Sequence, residues 1–395
     1  MKRICVMLAS AMLVGAAAPK APPPVAEYWM DAATASGMGA GLMGGRPNMQ
    51  QMMQMMEGGG QASHTLNLYL ASRTKAASPQ ASHLIPPGMQ MGPSLPLVAP
   101  ATPGKPVTAT PGMPDNFQRP KGRMIIYWGC GEHSGAGQPT VIDFSKVATG
   151  QIPPGFGAMM AAAHAAQPPR PGQSAGYGEW PNTRDSRPVP PAASLIGAHK
   201  VEGNYSPPIA FSLAQGQDFM PALGLREAGA TPSGAIPLAW TPAPQATGYA
   251  LAMFGGNSSG DMIVWTSANK ATAFPNMDYL SPSQVKPLVA SGALLAPTTS
   301  QCTVPAEVAK ASPAGMVMMI GYGPEAHFSD KPKAPTWTVR ARYKTSATLM
   351  LGMGAMMGGG DARPQAQEQQ QPKKKKKRFG LGDIIEGATG LPVGN

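Results

Sequence analysis

Trp337-Thr338-Val339-Arg340-Ala341-Arg342-Tyr343-Lys344 alternates without a break between apolar side chains and polar or basic ones. Successive residues of a strand point to opposite faces. The stretch therefore reads as a strand with one apolar face and one basic face, packed on one side as in an antiparallel sheet. Working outward, 236–240, 248–254, 262–266 and 316–322 are further apolar runs separated by Pro, Gly, Asn and Ser. Such punctuation marks turns between strands. Ser281 followed by Pro282 suits a helix start, and Pro287 keeps that helix short. Residues 231–350 are thus expected to form one β domain.

Ile236-Pro237-Leu238-Ala239-Trp240, followed by Ala246-Thr247-Gly248-Tyr249-Ala250-Leu251-Ala252, resembles the opening of a fibronectin type III-like sandwich. That family places a core Trp on its second strand and a Tyr at the start of the third. The resemblance implies that 231–350 is a fibronectin type III/Ig-like β-sandwich, a fold that binds or spaces and licenses no chemistry by itself. The chain as a whole resembles uncharacterised exported bacterial proteins, a likeness that implies no activity.

Composition agrees with a mainly β chain. Gly (48) and Pro (45) are abundant among 395 residues, while charged residues make 13% and aromatic ones 6%. Those values exclude a coiled coil, a helical repeat array and a highly charged disordered chain. Between 61 and 225 the strand-like segments are 65–70, 94–98, 123–128, 139–144 and 209–213. They predict a second β-rich, sandwich-like domain. Residues 18–60 are Pro-, Gly- and Met-rich and read as a flexible arm, and 351–395 as a disordered Gly/Met, Gln-rich and polybasic tail.

Residues 1–17 read as a secretory signal peptide. Lys2 and Arg3 precede an uncharged run from 4 to 14, and Gly15, Ala16 and Ala17 supply the small residues of a cleavage site. The run is too short to anchor in a bilayer. Export to the periplasm or cell surface is the expectation. Removal of the signal takes Cys5 with it and leaves Cys130 and Cys302, which an oxidising compartment favours as a disulfide. Eight of the eleven net positive charges belong to Lys2, Arg3 and the block at 373–378, so the basic balance describes the two ends of the chain.

Candidate chemistry is sparse. Cys130, with Gly129, Gly131, Glu132 and His133 around it, has the neighbours of a thiolate nucleophile, and equally those of a disulfide half at a strand end. Gly256-Asn257-Ser258-Ser259-Gly260 spells a nucleophile elbow by letter. A strand follows it where the elbow needs a helix, so it reads as a hairpin loop. The histidines at 64, 83, 133, 164, 199 and 327 show no metal-ligand spacing. Met49, Met52, Met53, Met55 and Met56 offer clustered thioethers, soft ligands suited to Cu(I). Lys373, Lys374, Lys375, Lys376, Lys377 and Arg378, followed by Phe379, Leu381, Ile384 and Ile385, suit an anionic membrane surface.

The resulting expectation is an exported cell-envelope protein acting as a non-catalytic binding or structural module, without a resident cofactor. Its partner would be an envelope protein or polymer, with peripheral membrane contact through the tail; specific nucleic-acid binding is not expected. Periplasmic copper handling through the Met-rich arm is the alternative, and a Cys-dependent hydrolase the third reading.

Overall fold

The computed structural model describes residues 22–37, 62–100, 122–144, 165–229, 231–271 and 276–352. In chain order its strands are β1 (Ala26–Gly37), β2 (Ser63–Ser72), β3 (Ala81–Leu84), β4 (Ser94–Leu97), β5 (Arg123–Trp128), β6 (Thr140–Asp143), β7 (Gly176–Trp180), β8 (Gly197–Gly203) and β9 (Ile209–Leu213). They continue with β10 (Arg226–Glu227), β11 (Ile236–Ala239), β12 (Gly248–Gly256), β13 (Met262–Thr266), β14 (Gln301–Val304), β15 (Gly315–Ser329) and β16 (Trp337–Leu351). Two helices, α1 (Pro282–Ala290) and α2 (Ala306–Ala311), flank β14. The protein is mainly β. Its strands form a nine-stranded sheet in the order β6-β5-β13-β12-β15-β16-β1-β2-β7, a four-stranded sheet β4-β3-β8-β9 and a three-stranded sheet β10-β11-β14.

Two expectations are corrected here. Residues 26–37, assigned from sequence to a flexible arm over 18–60, form β1 inside the large sheet, parallel to β16 and antiparallel to β2. The strands of 61–225 and 231–350 also do not keep to separate sheets. β5 pairs with β13 on one flank of the large sheet, and β1 joins β16 to β2 and β7 on the other. The physical reason lies in β1. Strands buried on both faces lose the apolar–polar alternation that marks a half-buried strand, and Ala26 and 30–36 of β1 are all buried.

The core fills one side of the large sheet. Val339, Tyr28 and Leu70 lie in register across β16, β1 and β2, as do Ala341, Met30 and Leu68, and all six are buried. Each large side chain sequestered there stabilises the fold by about 1.5–3 kcal/mol. The four-stranded sheet packs on this surface: the Tyr28 ring lies 5.3 Å from His83 and 6.2 Å from Phe211, and Phe211 is 5.4 Å from Phe328. The three-stranded sheet covers the other half, with Leu238, Trp240 and Val304 in one core with Tyr249, Leu251 and Val317.

The opposite side of β12 and β15 is covered by α1, whose Val285 packs with Ala250, Ile320 and Tyr322. Ser281 caps α1 in a full capping box with Gln284, and Pro282 occupies its first turn. β15 and β16 pair over nearly their whole length with one register shift between Tyr322 and Glu325. Gly323 sits in that shift because a Cβ there would lie 2.5 Å from the Tyr343 carbonyl oxygen and 2.6 Å from Met220 Sδ.

Candidate functional site on the charged face of the sheet

The alternation of β16 places Arg340, Arg342 and Lys344 together on the face away from the two small sheets. β1 runs alongside, so that Trp29 is in register with Arg340, Asp31 with Arg342 and Ala33 with Lys344. The basic face expected to meet solvent is largely covered: the Arg342 side chain is 1% exposed and that of Asp31 5%. The cover comes from segments near 166 and 277. Arg342 Nη1 donates to the Ala166 carbonyl, and Lys344 Nζ donates to the Met277 carbonyl at 2.9 Å.

Asp31 and Arg342 form a two-pronged pair, Nε to Oδ1 at 2.7 Å and Nη2 to Oδ2 at 2.5 Å. Burial opposes both charges. The carboxylate more than offsets it for Arg342, whose pKa is raised. Both prongs of the guanidinium fork are matched to one carboxylate, the geometry that makes such pairs strong. Next to it, Arg340 donates to both oxygens of Glu325 at 2.7 and 3.0 Å.

Aromatic rings interleave with these cations. The Trp29 ring has the Arg340 guanidinium 4.6 Å and the Arg342 guanidinium 4.8 Å from its centre. Tyr279 has Arg342 at 4.6 Å and Lys344 Nζ at 4.4 Å. Arg340, Trp29, Arg342, Tyr279 and Lys344 thus form a cation–aromatic ladder, in which each contact contributes about 0.5–2 kcal/mol. Burial lowers the Lys344 pKa and pushes the Tyr279 hydroxyl well above its usual range. Across the strands, His327, Arg340, Trp29, Tyr69 and Glu179 line up in one register row through β15, β16, β1, β2 and β7. The His327 end of the row is open, at 63% side-chain exposure. Behind that end the row is half-buried, with Arg340 at 21% side-chain exposure and Trp29, Tyr69 and Glu179 each partly exposed.

The sequence candidates fall elsewhere. Cys130 and Cys302 are joined in a disulfide, 172 residues apart with Cα atoms at 5.1 Å. Cys130 follows β5 of the large sheet and Cys302 lies in β14, so the bond staples the large sheet to the three-stranded one. With its sulfur bonded, Cys130 presents no thiolate. His133 contacts Glu307 of α2 through Nδ1 at 3.0 Å, and the Ser134 amide donates to the other Glu307 oxygen. The Ser134 amide, then the other hydrogen bonds, lower Glu307 to about 2. Residues 256–260 close the β12–β13 hairpin, with Asn257 Oδ1 accepting from the amides of Ser259 and Asp261.

The Met49–Met56 cluster, residues 1–17 and the basic block Lys373–Arg378 lie outside the described residues. Among the described residues no group of three or more His, Cys, Asp or Glu is placed to hold a metal ion, and no helix is long and apolar enough to cross a membrane. Two features escaped sequence reasoning. Asp31 and Trp29 sat in a stretch read as an arm, and His83 and His199, which show no ligand spacing, are brought into direct hydrogen-bond contact. Compared with known proteins, the chain matches no family model, no curated protein and no solved structure.

Proposed function

We propose that the chain is an exported cell-envelope protein that acts as a non-catalytic binding or structural module. The observation that carries this reading is the Cys130–Cys302 disulfide, a bond that persists in oxidising compartments and is rare in the cytosol. Further support is that the groups best suited to chemistry are committed to structural bonds. Cys130 is oxidised, His133 is bonded to Glu307 and Asp31 to Arg342. The row from His327 to Glu179 is the contact face for an envelope protein or polymer.

Within this module, 231–350, together with the short strand β10 just ahead of it, is a fibronectin type III-like sandwich. Seven consecutive strands, β10 to β16, divide into β10-β11-β14 and the neighbouring run β13-β12-β15-β16, the three-plus-four division of seven-stranded sandwiches. Trp240 directly follows the second of those strands and Tyr249 opens the third, with their rings 5.8 Å apart. The reading is tested by sedimenting the oxidised protein with purified envelope material. Retention that weakens on Arg340→Glu supports it; no retention of the wild-type chain removes the binding role.

A further inference from the structure

We propose that Tyr28, His83 and His199 form an acid-sensitive latch that holds the four-stranded sheet against the nine-stranded sheet. The three side chains are buried, at 0%, 0% and 2% exposure, and come from β1, β3 and β8. Tyr28 Oη lies 2.8 Å from His83 Nδ1, His83 Nε2 lies 2.9 Å from His199 Nδ1, and His199 Nε2 lies 2.6 Å from the Leu195 carbonyl oxygen.

The end of the chain fixes the direction of every bond in it. A carbonyl oxygen only accepts, so His199 Nε2 carries the hydrogen. In the neutral ring Nδ1 then accepts, which requires His83 Nε2–H to donate to it. His83 Nδ1 accepts in turn, and the Tyr28 hydroxyl donates. All four ring nitrogens are used with both rings neutral. An added proton reverses the relay, leaves the Tyr28 hydrogen without its acceptor and creates a cation in the core, a costly arrangement without a paired opposite charge.

Among the described residues no carboxylate is hydrogen-bonded to either ring; the Asp218 carboxylate accepts from the Leu195 amide instead, at 2.8 Å. Phe211 of β9 stacks on His199 at 5.1 Å, and Phe328 of β15 packs behind Phe211. On the same elements, Lys200 and Glu202 alternate with His199 and are exposed. Glu27 and Asp31 of β1 and Glu325 and His327 of β15 belong to the opposite face of the large sheet, in register with Thr338, Arg342 and Arg340. Burial, reinforced by His199, holds His83 well below the usual histidine range. Burial also lowers His199, and it keeps the Tyr28 hydroxyl protonated.

The sign follows. With both histidines depressed in the closed form, the latch contributes in full above the ordinary histidine pKa of about 6.5 and weakens as pH falls below it. A ring that takes up its proton only in the open form favours that form by at most tenfold per pH unit below that value.

The test is amide hydrogen exchange of the full oxidised chain at pH 7 and pH 4.5, corrected for intrinsic exchange rates, alongside nitrogen NMR of the histidine rings. The expected result is both rings as neutral Nε2–H tautomers at pH 7. On acidification β3, β8 and β9 lose at least 100-fold in protection while β12 and β15 keep theirs, and the pH effect disappears in His83→Gln/His199→Gln. Should that variant not fold, the wild-type ring titration still decides. Rings that protonate near pH 6.5 with no loss of protection overturn the latch, and so does protection of β3 and β8 that is equal at both pH values.

Discussion

Asp31 and Arg342, separated by 311 residues, meet as a two-pronged buried ion pair that ties the first described strand of the chain to the last. Parallel pairing of β1 with β16 brings them into register. Removing one partner leaves the other charge buried and unpaired, which costs about 3–5 kcal/mol, whereas well-packed apolar replacement of both is often close to neutral. Asp31→Asn and Arg342→Met are each expected to destabilise the chain by that amount in urea unfolding, and Asp31→Leu/Arg342→Met by much less. A double variant that costs the sum of the two single variants would show that the two side chains do not interact.

Reduction of the Cys130–Cys302 bond frees two segments that the fold otherwise joins across 172 residues. Long closed loops give the larger stabilisations, and loss of a native disulfide costs about 2–5 kcal/mol. Cys130→Ser/Cys302→Ser is expected to fold but to unfold at lower denaturant, by an amount matching wild type in reductant. A variant as stable as the oxidised protein contradicts the staple.

At Gly323 the β15 register shift leaves no room for a methyl group: the Tyr343 carbonyl and Met220 Sδ are both under 3 Å from where it would sit. Gly323→Ala is expected to cost about 1–3 kcal/mol, the usual range for overpacking. Gly216→Ala is a poor control because of its positive φ, whereas Gly88→Ala, with contacts at 3.5 Å or more, is expected to be mild.

Glu307 supplies a second pH dependence, opposite in chemical origin to the histidines. Its pKa falls from the ordinary 4.5 to about 2, first through the Ser134 amide. A depressed carboxylate contributes stability that is present above its unfolded pKa and lost as pH falls toward the folded one. Between pH 4.5 and 2 wild type is therefore expected to lose stability that Glu307→Gln never had. Unfolding midpoints of the two proteins should converge at the acid end; parallel curves contradict the contact.

β16 was legible because its Trp337–Lys344 segment combines an apolar and a basic face, and the short apolar runs at 236–239, 248–254 and 262–266 were legible because turn residues bracket them. The Ser281 cap was legible for the same local reason. β1 was not. Its residues are buried on both faces and its Ala-rich second half gives no period, while its partner strand β16 lies some 300 residues away. β7 was hidden by Gly176 and Gly178, which are glycine because Tyr205 lies against them. The charged site was half visible: the arginines stood out, but Trp29 and Asp31 acquire meaning only through register. The same holds for His83 and His199, 116 residues apart.

The most direct test of an exported, oxidised module is intact mass spectrometry of the unreduced protein recovered from outside the cytoplasm, with and without a thiol-alkylating reagent. The expected result is a chain beginning at Ala18, two hydrogens lighter than its reduced form, that takes up no label at Cys130 or Cys302. An uncleaved chain confined to the cytoplasm, or a Cys130 that alkylates without prior reduction, would contradict it.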